Sequence, residues 1–185
     1  MRKKIALIIL CAWGLLAGNA QAQKSYESNN GETKVIGTST LHDWECVSET
    51  SSIDMLANVE DGQLSSIESL VFQISSESLK SGKKSMDKNV YDALKTKKHK
   101  TIDFKLTEVK SISGTEVKAE GVLTIAGASK NVVLNATVVP NANGVDLKTS
   151  YTFNMSDFGI DPPTAMLNTI KTGDEVTVEF SANLK

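Results

Sequence analysis

The stretch Gly37–Cys46 reads GTSTLHDWEC and places a histidine, an aspartate, a tryptophan, a glutamate and a cysteine in five consecutive positions. A histidine beside a carboxylate is a common combination in general acid–base catalysis. Histidine and cysteine together are common ligands of zinc. The stretch is therefore the first candidate for a catalytic or metal-binding site.

Strand geometry argues against both kinds of site. The stretch lies among segments whose apolar residues alternate with period two, and neighbouring side chains of a strand point to opposite faces. His42 and Asp43 then cannot form a dyad with each other. Residues 42 and 46 of a strand lie roughly 13 Å apart at about 3.3 Å per residue. His42 and Cys46 therefore cannot share a zinc ion at ligand distances of about 2 Å, and we predict no catalytic residue and no metal site here.

The same geometry places His42, Trp44 and Cys46 on one face, which we expect to be the interior. His42 is expected at a hydrogen-bonded position in the lumen of the folded protein or at its mouth, where it can meet the polar end of a ligand. Trp44 offers a large apolar surface and one donor, so it is either a core residue or one that also contacts a ligand. Cys46 is the single cysteine after residue 22. We expect it to be buried, with a reactive thiol or an intermolecular bridge as the alternatives.

The familiar catalytic motifs are absent from the sequence. There is no H-E-x-x-H, C-x-x-C or G-x-S-x-G motif and no P-loop, and the two histidines are His42 and His99. The sequence therefore favours a protein that is not an enzyme. An enzyme with His42 or His99 as its base is the less favoured alternative.

The first 22 residues have the pattern of a secretory signal peptide. Basic residues at positions 2–4 precede an apolar run over positions 5–16 and an A-x-A motif that ends at Ala22. The run is shorter than the roughly 20 apolar residues of a membrane span, which disfavours an anchor. A lipoprotein cleaved before Cys11 is disfavoured, because Leu10 stands directly before this cysteine where a small residue would be expected. We predict a periplasmic or secreted protein, cleaved near Ala22, with no stable membrane span.

The remaining 163 of 185 residues predict one domain with a sizeable core. Cleavage removes three of 20 basic residues and none of 22 acidic ones, which leaves a net charge of −5. This charge argues against a nucleic-acid partner, whose phosphates need a basic face. The run TKKHK, with Lys95 just before it, is a local exception. A solvated turn is the favoured interpretation of this run, with a phosphate or lipid-headgroup contact as the alternative.

Short segments of alternating apolar residues dominate the chain and predict about eight strands with one buried face. Asp61-Gly62 and the sequence NANG at Asn141–Gly144 are hairpin signals. Asn29–Gly31 is a turn signal that is expected to close a tail over residues 23–32. The spacing favours an antiparallel barrel or sandwich. The alternating segments are 53–59, 70–74, 102–106, 117–125, 132–138, 145–147, 151–155 and 176–184.

One segment, Ser85–Leu94, breaks the period of two and predicts a short helix. Ser85 is the expected N-cap, and Asp87 complements the first turn. Met86, Val90 and Leu94 share one apolar face at helical spacing. That face is expected to pack on the end or side of a barrel.

Four stretches resemble the YceI-like family, a periplasmic, polyisoprenoid-binding and lipocalin-like family. They are STLHDWE (39–45), MDKNVYDALKTKKHKTIDFKL (86–106), GVLTIAGASKNVVL (121–134) and DFGIDPPTAMLNTIKTGDEVTVEF (157–180). The resemblance covers residues 33–185 and implies an eight-stranded antiparallel barrel, a helix packed on it, and a lipid tail in an apolar lumen. Many members carry an Arg-Asp pair ahead of the helix. In this sequence Asp87 is the candidate match for the aspartate of that pair, and Met86 stands before it in place of the arginine.

The function implied is non-catalytic binding, carriage or storage of a polyisoprenoid, an isoprenoid quinone or a fatty-acid-like lipid, with no other cofactor. A secreted barrel that binds a protein partner and no lipid is the alternative, and an enzyme that acts on a lipid or a quinone, with His42 or His99 as its base, is less favoured. A homodimer is the base-rate oligomer. The residues predicted to contact the ligand are inward by strand parity, on the helix face or in the last loop: His42, Trp44, Phe72, Ile74, Met86, Val90, Leu94, Ile102, Phe104, Leu106, Leu123, Ile125, Phe153, Met155, Met166 and Ile170.

Overall fold

The structure is a computed structural model that describes residues 23–165 and 169–185. The predicted signal peptide therefore lies outside the described residues. No helix in the described ranges is long and apolar enough to cross a membrane. The elements are β1 (Lys24–Ser39), β2 (Trp44–Glu60), β3 (Gln63–Ser75), α1 (Lys84–Leu94), β4 (Thr101–Ser113), β5 (Glu116–Ile125), β6 (Ala128–Asn141), β7 (Gly144–Asn154), β8 (Thr164–Ala165) and β9 (Ile170–Leu184).

Eight of these strands close into an antiparallel barrel, as predicted. Their order is β1-β2-β3-β4-β5-β6-β7-β9, and β9 also pairs with β1. Val35 lies at the closure, because it pairs with Cys46 of β2 on one side and with Val178 of β9 on the other. The two-residue strand β8 only adds a short pairing to the start of β9.

The connections divide the barrel into two unlike ends. At the end that we call the packed end lie three tight hairpin turns, the start of β1 and the end of β9. The other end, which we call the open end, carries the remaining four connections, and three of them are longer. The four connections are the β1–β2 turn (40–43), the segment between β3 and β4 that contains α1 (76–100), the β5–β6 turn (126–127) and the segment between β7 and β9 (155–169).

The largest buried cluster lies in the packed half of the barrel. Ile53, Met55 and Ala57 of β2 are at most 2% exposed, while Asp54 between them is exposed. This confirms the predicted period of two. Phe72 and Phe180 meet edge to face across the interior with ring centroids 5.0 Å apart. Several side chains of this core, Ile53, Val117 and Val138 among them, also face the cavity described below.

Residues 24–32 belong to β1, so the tail expected over residues 23–32 is wrong for all but its first residue. Tyr26 and Ser28 point inward and are buried, and Tyr26 pairs with Met55 of β2. The sequence Asn29–Gly31 forms an irregularity in the pairing of β1 with β2 instead of a turn. Such bulges keep the strand in the sheet while shifting its register.

The helix begins one residue before the predicted start. Lys83 occupies the N-cap position without a side-chain hydrogen bond, so the prediction of Ser85 as N-cap is wrong. The loop is held by Asp87 instead. Its Oδ1 accepts hydrogen bonds from the Ser81 amide at 2.7 Å and from the Ser81 hydroxyl at 2.6 Å. At the other end Lys95 adopts a left-handed conformation and terminates the helix.

The Asp87 carboxylate makes the stability of this segment depend on pH. The hydroxyl and amide of Ser81 donate to it and lower the pKa of Asp87. A carboxyl whose pKa is lower in the folded state stabilises the fold above its unfolded pKa of about 3.9. That contribution is lost as the pH falls through the folded pKa.

Asp87→Asn is therefore expected to lower the free energy of unfolding at pH 7 by up to about 1 kcal/mol, as for a near-surface group, and so to lower the thermal midpoint slightly. The difference from the wild type should shrink as the pH falls below 4. Thermal unfolding followed by circular dichroism at both pH values checks this. Asp92→Asn, an exposed change on the same helix, is the control. An Asp87→Asn effect that stays constant with pH would contradict the assignment.

Candidate functional site

The barrel contains an apolar cavity of about 570 Å³, which we call the lumen and which extends from the open end to Val117, Val138 and Leu147 near the packed end. Inward side chains of all eight barrel strands and of α1 line it. The volume falls within the range of roughly 300–1,000 Å³ that is typical of small-molecule pockets. Alternation along each strand produces this surface, because every second side chain of a barrel strand points inward.

The structure brings fifteen of the sixteen predicted contact residues together around the lumen. Met166 lies outside the described residues. Contact of the fifteen with a ligand stays a prediction. They are His42, Trp44, Phe72, Ile74, Met86, Val90, Leu94, Ile102, Phe104, Leu106, Leu123, Ile125, Phe153, Met155 and Ile170.

Aromatic side chains form part of the wall near the open end. Phe153 packs edge to face on Phe158 at 5.0 Å and stacks on Tyr151 at 5.5 Å. Met155 was expected to continue the strand, but it begins a 3-10 turn over Met155–Phe158. It still reaches the lumen from there. The turn carries the chain across the open end.

Helix α1 covers another part of that end. Met86, Val90 and Leu94 pack against a buried cluster that includes Cys46, Ile74 and Leu79. The predicted apolar face of the helix is thus confirmed. A two-way backbone pairing ties the preceding segment to β2, with Val47 and Lys80 exchanging hydrogen bonds at 2.8 and 2.9 Å.

Trp44 contributes an apolar surface to the lumen, although the stretch of sequence around it is polar. Its Nε1 donates to the Thr38 carbonyl at 3.0 Å, which satisfies the one polar atom of the indole. Its ring lies directly on Gly37, where a Cβ would come within 2.6 Å of the indole Cε2. The absence of a side chain at residue 37 therefore lets the indole lie flat against β1, and Trp44 lines the lumen.

His42 lies in the β1–β2 turn, so its expected place on a strand is wrong. Ser39 organises this turn by accepting from the His42 amide at 3.2 Å and donating to its carbonyl at 2.7 Å. The imidazole Nδ1 lies 2.5 Å from the backbone carbonyl oxygen of Asp43. His42 therefore contacts the backbone of Asp43 and not its carboxylate. His42 is exposed and lines the mouth of the lumen.

Cys46 and His99 are the other two side chains that could be reactive, and they lie apart from His42. Cys46 is 1% exposed, which confirms the predicted burial, and this burial raises the pKa of its thiol to about 11. At neutral pH it is therefore an uncharged part of the wall. His99 packs against Gly127 in the β5–β6 turn and is not among the lining residues.

Sequence reasoning missed several lining residues. Leu79 and Ile160 belong to connections without a periodic pattern, so nothing local marked them. Val176 and Val178 alternate within β9 and could have been found from strand parity alone. A group of polar side chains also lines the lumen at the open end, and the sequence prediction included only His42 among them. Its other members are Ser39, Lys83, Ser85 and Asn89.

A closed antiparallel meander of eight strands, with an apolar lumen and a helix beside the opening, defines a lipocalin-like barrel. The YceI-like domain matches residues 26–184 of the chain. The protein therefore belongs to the YceI-like family, as the four sequence stretches indicate. The match begins seven residues before the predicted domain boundary and includes most of β1.

Solved structures share this fold at low sequence identity. BcnA of Burkholderia cenocepacia superimposes with a TM-score of 0.68 at 18% identity, over 83% of this chain and 94% of BcnA. A polyisoprenoid-binding domain of Saccharophagus degradans, implicated in plant cell wall breakdown, gives 0.64 at 11% identity, over 89% and 99%. A YceI protein of Campylobacter jejuni gives 0.56 at 23% identity, over 72% and 81%. No curated protein matches the chain significantly.

Proposed function

We propose that the protein binds the apolar tail of a polyisoprenoid or similar lipid in its lumen, in the periplasm and without chemical conversion. The observation that carries this proposal is the lumen itself, lined by apolar side chains from every barrel strand. The domain name of the Saccharophagus degradans relative supports the same ligand class.

Two hydroxyl groups of the lumen wall are engaged with the protein. The Thr33 hydroxyl lies 2.6 Å from that of Ser51, and the Thr149 hydroxyl donates to the Asn135 carbonyl at 2.8 Å. A hydroxyl already satisfied in this way adds little attraction for a polar ligand. These contacts favour a hydrocarbon chain as the occupant.

The volume limits how much of a chain fits inside. At roughly 30 Å³ for each methylene-sized group, about the volume of a water molecule, the lumen holds about 19 such groups. That corresponds to about four isoprene units. Burial at about 0.8 kcal/mol for each group gives about 15 kcal/mol before the costs of ordering the ligand.

The polar end of the ligand belongs at the open end. His42, Lys83, Ser85 and Asn89 line the lumen there, and Lys83 is exposed. An ammonium group, an imidazole, a hydroxyl and an amide suit a headgroup that accepts hydrogen bonds, such as a quinone or a phosphate. The headgroup would then remain near water while the tail is buried.

Native mass spectrometry of the mature protein, purified without detergent, tests the proposal. We expect an additional mass that solvent extraction identifies as a lipid with an isoprenoid or similar chain. Delipidated protein should show a higher thermal midpoint after addition of an isoprenoid quinone, because a ligand that binds only the folded state stabilises it.

Two results would count against this function. No bound lipid together with no thermal shift would favour the alternative, a barrel that serves as an interaction protein. Conversion of the added quinone that stops in His42→Ala, with the fold intact, would indicate an enzyme. We expect His42→Ala to change headgroup affinity only, with the extracted ligand chemically unchanged.

A further inference from the structure

The charge of the chain is strongly uneven. The segment 80–100 carries eight lysines and two aspartates, while the rest of residues 23–185 carries nine lysines and twenty acidic residues. The segment is therefore clearly cationic in a protein that is otherwise acidic. The eight side chains, which we call the cationic face, are all exposed: Lys80, Lys83, Lys84, Lys88, Lys95, Lys97, Lys98 and Lys100.

Little of this charge is neutralised within the protein. Among the described residues, the ion pairs of the cationic face are limited to Lys100 with Glu77, at 3.9 Å between two exposed side chains. Lys80 donates to the Tyr91 hydroxyl and lies over its ring. An ion pair this long and exposed contributes little, so most of the face is available to an external anion.

The cationic face borders the opening of the lumen. It includes α1 and the segments on both sides of it, and Lys83, Ser85 and Met86 line the lumen. Leu41 of the β1–β2 turn also lines the opening and is 66% exposed, the largest value among the exposed large apolar residues. The Val47–Lys80 pairing joins the start of the segment to β2, the strand that follows this turn. Positive charge and an exposed apolar side chain thus occur together at the opening.

We propose that the open end docks on an anionic membrane surface. The cationic face would contact lipid headgroups, and Leu41 would enter the interfacial layer beside the opening. Clusters of lysine attract anionic bilayers at short range, and an apolar side chain adds to the affinity. The acidic remainder of the protein is repelled by the same surface, which orients the molecule with its opening towards the membrane.

Acidic groups at the same end set the orientation more closely. Asp43 lies beside Leu41, and Asp157 and Asp161 lie in the segment between β7 and β9. The side of the opening formed by α1 should therefore approach the bilayer most closely. The docking contact itself does not depend on what the lumen holds. Docking would serve to pass a lipid tail between the bilayer and the lumen, and this part of the proposal rests on the proposed function.

Vesicle co-sedimentation of the mature protein tests the docking surface. The vesicles contain phosphatidylcholine and phosphatidylglycerol in equal parts, or phosphatidylcholine alone. Wild-type protein should bind the anionic vesicles and release them as salt is added, because exposed charges are screened. Replacing Lys84, Lys88, Lys97 and Lys98 with Gln should weaken binding by about tenfold or more, and Leu41→Ser should weaken it further.

A matched control carries the same loss of charge on the barrel wall. It replaces four exposed lysines of β4–β7 with Gln: Lys105, Lys118, Lys130 and Lys148. This control should bind anionic vesicles as the wild type does. Equal losses in both variants, or equal binding of the wild type to both kinds of vesicle, would overturn the docking surface.

A second measurement separates docking from ligand binding. The four lysines changed in the cationic face do not line the lumen, so the variant should carry the same co-purifying lipid as the wild type in native mass spectrometry. Vesicle binding by a wild-type protein that carries no lipid would support the docking surface while contradicting the proposed function. Lipid carriage without vesicle binding would overturn the docking surface alone.

Discussion

Ala136→Phe is expected to weaken the binding of a long isoprenoid chain by about a hundredfold while the barrel stays folded. Ala136 lies on β6, pairs with Val117 and Thr149, and lines the lumen. A phenyl ring at this position would occupy space that the tail needs. Displacing about four methylene-sized groups costs about 3 kcal/mol at 0.8 kcal/mol each, which corresponds to about two orders of magnitude in affinity.

The expected loss should depend on chain length. A series of isoprenoid alcohols of two, three and four units, measured by displacement of a fluorescent fatty acid, should show the largest loss for the longest chain. Short chains should bind nearly as they bind the wild type, because they do not reach the added ring. The ring fills existing space, so the thermal midpoint should not fall substantially.

Asn135→Phe is the matched control for this change. Residue 135 is the exposed neighbour of Ala136 on β6, so its side chain points away from the lumen. The same ring on the outer surface should leave binding unchanged for every chain length. Equal losses in both variants, or wild-type affinity of Ala136→Phe for the longest chain, would show that this part of the lumen holds no ligand.

The barrel and most of its lumen were predictable because both depend on one local rule. Alternation of apolar residues identifies a strand and also says which side chains point inward. Phe72 with Ile74, and Ile102 with Phe104, were assigned to the lumen on this basis, and all four line it. The resemblance to the YceI-like family supplied the closure of the sheet, because alternation predicts about eight strands but leaves the choice between a barrel and a sandwich open.

The errors lie where local pattern and tertiary contact disagree. His42 follows a strand pattern in sequence, but Ser39 hydrogen-bonds to the amide and carbonyl of His42 and stabilises a turn. Asn29–Gly31 has turn residues, but pairing with β2 keeps the chain in the sheet. The basic run near Lys97 had a solvated turn as its favoured interpretation. Only the fold shows that it lies at the same end of the barrel as the opening of the lumen.

Gly121 is the second residue at which a large effect is expected, here on stability. It lies on β5, opposite Leu106 of β4, and its missing side chain is replaced by the ring of Phe104. A Cβ at this position would overlap that ring and come within 2.6 Å of the Lys105 carbonyl oxygen. Gly121→Ala therefore requires both the ring and the neighbouring strand to move. We expect it to lower the free energy of unfolding by about 2–3 kcal/mol, which is typical of overpacking in a core.

A double-mutant cycle with Phe104→Leu identifies the cause of this loss. Leu at residue 104 lacks the ring, so Gly121→Ala should cost about half as much or less in that background, with the remainder due to the Lys105 carbonyl. Urea unfolding of the four proteins gives the coupling free energy, and contacting residues typically couple by about 0.5–3 kcal/mol. A coupling near zero would mean that the ring does not oppose the added methyl group. Because Phe104 also lines the lumen, a ring displaced inward in Gly121→Ala should also reduce binding of the longest isoprenoid chain, joining the stability of this wall to the capacity of the lumen.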